Sequence, residues 1–350
     1  MEQNILSLIL SFSWAFLIAV FAVPSIIRVA HLKNILDQPN LRTVHESLTP
    51  RLGGLAMFAG FMSALTIFSD LYNGVQQLLA GCIILFFIGL KDDMVPISAL
   101  KKFAVQLLAT GIVMFMADIR ITSFQGIFGI GELQIGISYA FTFFVIIGIT
   151  NSINLIDGLD GLAGTIVVII SATFGVYFVL YGGEAYGNYA AVAFCLIGGL
   201  LGFLRYNFHK ATIFMGDTGS LLCGFIVSVL AIQFIEMRMV PAAPSVALGI
   251  LFIPLFDTIR VSVIRILKGN SPFIPDKNHI HHRLLGMGFN QISTVLILAI
   301  LNLAVILFVV NFGEWGNLSL LLVLLAFSVV LSIFLGVYRP RGTVKNVSKV

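Results

Sequence analysis

Charge is scarce in this chain. Asp, Glu, Lys and Arg fill 10% of 350 positions, 59% of residues are hydrophobic, and the mean hydropathy is +1.04. Soluble domains carry about 25% charged residues, so the composition excludes a soluble globular protein and implies an all-α polytopic membrane protein. Cysteine is almost missing too. Cys82, Cys195 and Cys223 fall in apolar segments, lack the spacing of a disulfide framework or a metal site, and read as inert packing residues. No basic n-region precedes the first apolar run, 5–27, which is also too long for a signal-peptide core and reads as a retained span. Internal repeats, low-complexity tracts and a soluble-domain boundary are absent as well. The net charge of +4 reports topology in such a protein, so no nucleic-acid partner is expected.

What the chain does have is long apolar runs. Segments of about 17–25 such residues cross a bilayer as helices. Eleven are expected, at 5–27, 53–71, 75–91, 100–117, 137–152, 160–181, 188–205, 218–236, 245–266, 293–311 and 317–338. The fifth is short and invites a break near its inner end. Loops then alternate between the two sides, and 18 of the 20 Lys and Arg residues fall on one side, with only Arg120 and Arg238 opposite. Basic loops mark the cytoplasm, which puts the N-terminus outside and the C-terminus inside. Residues 1–338 form one transmembrane domain, and 339–350 a basic tail lying against anionic lipid. The outer loop 119–137 holds Gly126, Gly129, Gly131 and Gly136 among alternating apolar residues, the pattern of a small β-hairpin.

The polar motifs collect on the inner side. Charged groups in hydrocarbon cost roughly 2.5–3.5 kcal/mol each on insertion scales, so a cluster beside a span needs a reason. Asn151, Asn154, Asp157, Gly158, Asp160 and Gly161 form one such cluster; its amides and carboxylates suit a hard cation or a nucleotide base, or make a plain polar hairpin. Asp92 and Asp93 close the third span. Adjacent helical residues diverge by about 100°, so one faces a site while the other orients a neighbour or the backbone. Lys101 and Lys102 follow, one as a topology anchor, the other within reach of a phosphate. Asp217, between Gly216 and Gly219 and after Phe214, is either a Mg²⁺ ligand beside a closely approaching pyrophosphate or an ordinary N-cap. His279, His281, His282 and Arg283 lack the further ligands of a zinc site and read as a polyphosphate-binding block or a solvated basic loop. Arg260 and Arg265 add donors on the same side, and Asp257 is expected to pair with Arg260 or another buried base. No nucleophilic triad is recognisable. Acidic groups for Mg²⁺ beside basic groups for phosphate describe phosphoryl-type chemistry at a membrane surface.

These blocks, in this order, resemble the polyprenyl-phosphate N-acetylhexosamine-1-phosphate transferase superfamily. The matching pieces are Pro50-Arg51-Leu52-Gly53-Gly54, Gly89 to Asp93, Asn151 to Gly164, Phe214 to Ser220 and His279 to Arg283. The His-Ile-His-His-Arg block is similar to the WecA/TagO branch rather than to MraY. One departure is Pro96, where the branch often has an acid. The resemblance implies transfer of a sugar-1-phosphate, with GlcNAc as the expected sugar, from a UDP-sugar to undecaprenyl phosphate in the bacterial inner membrane. It further implies Asp217 and Asn154 as ligands of Mg²⁺, with Mn²⁺ as a substitute. Asp92, Asp93, Asp217 and His279 would be the catalytic groups. Lys102, Arg265, His281, His282 and Arg283 would meet the substrate phosphates. Asn151, Asp157, Asp160 and Phe214 would line the nucleotide pocket, Phe214 stacking on uracil. A homodimer surrounded by membrane lipid is compatible with this. The alternatives are a transporter of an anionic nucleotide-sugar, whose polar groups would sit at mid-membrane in repeated halves, and a MraY-like transfer of a peptidoglycan precursor.

Overall fold

A computed structural model describes residues 5–36, 48–271 and 278–337 of the chain. Helices follow one another almost without interruption: α1 (Ile5–Leu32), α2 (Gly53–Phe68), α3 (Val75–Met94), α4 (Ala99–Ala117), α5 (Ile135–Ile156), α6 (Leu162–Tyr181), the single turn α7 (Gly183–Tyr186), α8 (Asn188–Asn207), α9 (Gly216–Glu236), α10 (Ala243–Ile250), α11 (Phe252–Leu267), α12 (Ile280–Gly286), α13 (Gln291–Asn311) and α14 (Asn317–Val337). Nine helices among the described residues are long and apolar enough to span a bilayer. Adding the bent pair α10–α11 and the 16-residue α2 restores the eleven segments expected from hydropathy. The basic tail, Arg42 and Lys277 lie outside the described residues.

The break falls elsewhere than expected. The fifth segment is an unbroken helix of 22 residues, whereas the ninth bends by 79° between Ile250 and Phe252. Pro254 explains the position, because proline has no N–H and its ring excludes the carbonyl of the residue four before it, here Ile250. Asn302 of α13 takes over the freed groups: its Nδ2 donates to Ile250 O (3.3 Å) and its Oδ1 accepts from Ile253 N–H (3.2 Å). In hydrocarbon no water is present to do so. The loop 119–137, expected as a β-hairpin, contains a single antiparallel bridge, Ser123 with Glu132, and a short 3₁₀ turn at Ile127–Gly129; no strand occurs among the described residues.

Burial ranks the helices. The membrane-crossing stretch of α9 is entirely enclosed and that of α8 nearly so, while α14, α1 and α4 expose most of their surface. Helices gain no hydrophobic drive from meeting one another in lipid, so close approach through small residues does the work. The N-terminal end of α9 shows this directly. A Cβ at Gly54 of α2 would collide with the Gly219 backbone, and one at Gly89 of α3 with the Thr218 backbone. Two glycines thus let α2 and α3 press onto the first turn of α9, where Asp217 stands.

Candidate active site

Six helix ends and two loops meet at one end of the bundle. Asp92, in the last turn of α3, accepts from Ile97 N–H (2.8 Å) through Oδ1 and meets Lys102 Nζ (2.7 Å) through Oδ2. Lys102, in the first turn of α4, also bonds Asp217 Oδ2 from the start of α9 (2.5 Å). One ammonium therefore holds together carboxylates from two other helices. Asp217 and Lys102 each keep about a quarter of their side-chain surface exposed and Asp92 about an eighth, so the triad borders an open cleft.

Asp93 diverges from Asp92 as adjacent helical residues must. Expected among the catalytic groups, it points instead at the start of α9. Its Oδ1 accepts from Asp217 N–H (2.7 Å), and its Oδ2 from Thr218 N–H (3.0 Å) and Thr218 Oγ1 (2.5 Å). The first N–H groups of a helix have no partner within it and carry partial positive charge, which a carboxylate satisfies. This settles the N-cap reading of Asp217: the cap comes from another helix, and the Asp217 carboxylate is left facing the cleft. Gly216 makes the arrangement fit, with φ +70° and its Cα against Arg51 O and both Asp93 oxygens.

The C-terminal end of α5 forms the second wall. Asn154 Nδ2 donates to Ser220 Oγ (2.8 Å), itself bonded to Gly216 O (2.9 Å), which brings Asn154 to the same turn of α9 as Asp217. Asn151 exchanges hydrogen bonds with Gln106 of α4 (3.0 and 3.4 Å). Beyond α5, burial and the charges of Asp217 and Asp93 push the Asp157 carboxyl up to about 7, against the pull of Arg51. Asp160, expected in the nucleotide pocket, is buried, and its Oδ2 accepts from Ala211 N–H (3.1 Å). Asn207 works beside it, accepting from Gly161 N–H (2.9 Å) and donating to Ile213 O (2.9 Å). Together Asp160 and Asn207 tie the loop before α6 to the loop carrying Phe214, whose backbone is fixed by Pro50 O and Gly53 N–H (both 2.8 Å).

The histidine block forms the third wall and is no solvated loop. His279 and His281 are buried, at 7% and 1% exposure. His279 Nδ1 meets Asp257 Oδ2 (2.8 Å), and Ile280 N–H donates to Asp257 Oδ1 (2.7 Å). Asp257 thus pairs with His279 rather than with Arg260, whose Nη1 donates to Asn278 O (2.8 Å). Arg283 Nη2 reaches the Asn278 side chain (2.9 Å), His282 lies 4.3 Å from the His281 ring, and Arg265 is buried in the last turn of α11. His281 packs against Gly158, which joins this wall to the Asp157 loop. Burial and the neighbouring His282 push His281 down to about 3, so it is neutral at physiological pH.

Residues 75–235, from α3 to the end of α9, match the family described as glycosyl transferase family 4. The chain is 32% identical to a probable undecaprenyl-phosphate N-acetylglucosaminyl 1-phosphate transferase of Bacillus subtilis over 347 residues, 97% of this chain and 96% of that one. It is 34% identical to the decaprenyl-phosphate N-acetylglucosaminephosphotransferase of Mycobacterium tuberculosis, covering 81% of this chain and 77% of the other. With the undecaprenyl-phosphate alpha-N-acetylglucosaminyl 1-phosphate transferase of Escherichia coli the identity is 33%, over 75% and 72% of the two chains. The chain belongs to this family of polyprenyl-phosphate N-acetylglucosamine-1-phosphate transferases.

Within this family member the matched segment 75–235 contains Asp92, Lys102, Asn154 and Asp217, and the histidine wall lies beyond it. Gln106, Asn207 and Ser220 hold the transferase cleft in shape but were not singled out in the sequence, where each is one polar residue at the edge of an apolar run. An apolar cavity of about 400 Å³ lies along α5, between the 121–128 loop, the C-terminal end of α9 and the bent pair α10–α11, with Phe124 and Ile235 in its walls. Gly148, Ile149 and Phe144 of α5, Leu248 and Leu251 of α10, and Ile259 of α11 are among its walls. Gly148 stands one helical turn before Asn151 and Ser152.

Proposed function

We propose that the chain transfers N-acetylglucosamine-1-phosphate from a UDP-sugar to undecaprenyl phosphate at the cytoplasmic face of a bacterial inner membrane, releasing UMP and leaving sugar-diphospho-undecaprenol. The observation that carries the reading is the convergence of Asp92, Lys102 and Asp217 from three helices on one cleft. The names of the relatives support it, since each pairs a polyprenyl phosphate with N-acetylglucosamine. The distribution of Lys and Arg supports the cytoplasmic orientation.

The donor set suits a hard divalent cation. Mg²⁺ is held by one or two carboxylates together with phosphate oxygens and water, and no group of three or more His, Cys, Asp or Glu among the described residues would enclose an ion without substrate. Asp217 and Asn154 would hold Mg²⁺, or Mn²⁺ in its place; the Asn154 amide has its nitrogen committed to Ser220, leaving the carbonyl oxygen as the ligand. Bound there, the cation supplies positive charge to the diphosphate. Lys102 turns one hydrogen bond from its carboxylates to a phosphate oxygen, and Asp92 orients the lipid phosphate. Asp157, partly protonated at neutral pH, donates to the uracil ring as Phe214 stacks on it. A lipid phosphate oxygen, already anionic, attacks the β-phosphorus. The new P–O bond forms as the bond to the bridging oxygen breaks, and UMP leaves with the electron pair while His279 and Arg283 stabilise its phosphate. No covalent enzyme intermediate is needed.

The test is UMP release by purified protein in nanodiscs supplied with UDP-GlcNAc, undecaprenyl phosphate and Mg²⁺, with the lipid product identified by mass. Absence of UMP with every UDP-N-acetylsugar offered would refute the proposal. Turnover of UDP-MurNAc-pentapeptide instead would move it to the MraY-like reaction. Uptake of labelled UDP-sugar into proteoliposomes without lipid product would make it a transporter.

A further inference from the structure

We propose that Asp257 is a positioning residue for the transfer reaction, fixing a proton of His279 on Nδ1 so that Nε2 is the nitrogen presented to the donor phosphate. The inference rests on the reading of His279 as a group that faces the donor phosphate.

Both oxygens of Asp257 are committed in different directions. Oδ1 accepts from Ile280 N–H (2.7 Å), and Oδ2 meets His279 Nδ1 (2.8 Å). The first bond keeps the carboxylate from rotating, so the second fixes the plane of the imidazole. A carboxylate accepts only, hence Nδ1 must carry the hydrogen and Nε2 is the open nitrogen. Arg260, one helical turn further along α11, holds Asn278 O (2.8 Å), while Arg283 holds the Asn278 side chain (2.9 Å). The residues on either side of His279 are therefore anchored to one face of α11. Among the described residues, the remaining titratable groups around it are His281, stacked 5.8 Å away, His282 behind that ring, and Asp157, on the loop whose Gly158 touches His281. None of these occupies Nδ1. At 2% exposure, Asp257 cannot itself meet a substrate, so it acts through His279.

The decisive variant is Asp257→Asn. Its amide oxygen can still accept from Ile280 N–H, while its NH₂ now faces Nδ1 and favours the opposite tautomer, with the hydrogen on Nε2. Losing the correct tautomer in a Ser-His-Asp triad costs about 10⁴ in kcat, and partners that orient a ligand cost about 10–100-fold. We expect kcat to fall about 100-fold with KM for UDP-GlcNAc changed less than about threefold. In a His279→Gln background the same substitution should cost less than about threefold, because coupled residues are not additive. Nitrogen NMR of ¹⁵N-histidine-labelled full-length protein in detergent should show Nδ1–H at His279 in the wild type and Nε2–H in Asp257→Asn. Additive losses, or a wild type already in the Nε2–H form, would overturn the assignment. The NMR arm needs no activity, so it decides the role of Asp257 even where a wild type that releases no UMP has refuted the transferase reading.

Discussion

Replacing Asp93 by Asn tests whether that residue works through structure or through chemistry. Asp93 accepts three hydrogen bonds from the first turn of α9. Asn has one acceptor oxygen and one donor group. If the oxygen serves Thr218, the NH₂ faces the Asp217 N–H, donor against donor; the reverse placement strands Thr218. A hydrogen bond to a charged group is worth about 1.5–3 kcal/mol, and a buried donor left unpaired costs about 1–3 kcal/mol. Losing the charge at a helix N-terminus adds about 0.3–1 kcal/mol. The substitution should therefore destabilise the protein by roughly 3–5 kcal/mol. Domains of 150–250 residues lose about 2–4 °C in Tm per kcal/mol, so thermal unfolding in detergent should drop by roughly 6 °C or more. Because the bonds hold the backbone of Asp217, UMP release should fall with it. If Asp93→Asn abolishes turnover while Tm stays within about 1 °C of wild type, Asp93 acts on the substrate and the capping argument is wrong.

Gly216→Ala should be at least as damaging. A positive φ costs a non-glycine residue about 1–2 kcal/mol, and the added Cβ would strike Arg51 O and the Asp93 carboxylate; expression and Tm at wild-type levels would contradict the packing described. Gly148→Phe should fold well, since a Cβ there meets nothing within 4 Å and leaving glycine in a helix gains about 1 kcal/mol. It fills the apolar cavity, so KM should rise severalfold for undecaprenyl phosphate and little for a short-chain polyprenyl phosphate; equal effects on both would show that the chain lies elsewhere. His281 predicts acid lability. It titrates near 3 when folded and near 6.5 as a free side chain, so between those values the unfolded chain binds the extra proton. Stability is intact above about pH 6.5 and declines as pH falls towards 3. The drop in Tm from pH 7 to pH 4.5 should be smaller in His281→Leu, and an unchanged drop would mean the imidazole is solvated.

The spans and the polar residues that the helices bring together were legible in the sequence for the same reason: hydrocarbon tolerates only long apolar runs, against which Asp92, Lys102, Asn154 and Asp217 stand out. Their partners were not legible. Asp92 and Asp93 are identical side chains one position apart, and only the placement of α9 decides which faces the cleft. The break at Ile250 was hidden because both halves of the segment are apolar and hydropathy averages across them; Pro254 was the available signal. For His279 to Arg283 a polyphosphate-binding block and a solvated basic loop both stay open until α11 and Gly158 close over it. Gln106, Asn207 and Asn302 each complete a contact that exists only after helices meet, so nothing local marks them.

Because α9 is walled off from lipid along its full membrane-crossing length, it has no annular shell of its own. A bilayer that thickens or thins exerts its mismatch cost, fractions of a kcal/mol per Å, on the outward helices α1, α4 and α14. The depth of Asp217 is therefore referenced to the protein's interior rather than to the local lipid, and the chemistry stays at a fixed height while the membrane around it adjusts.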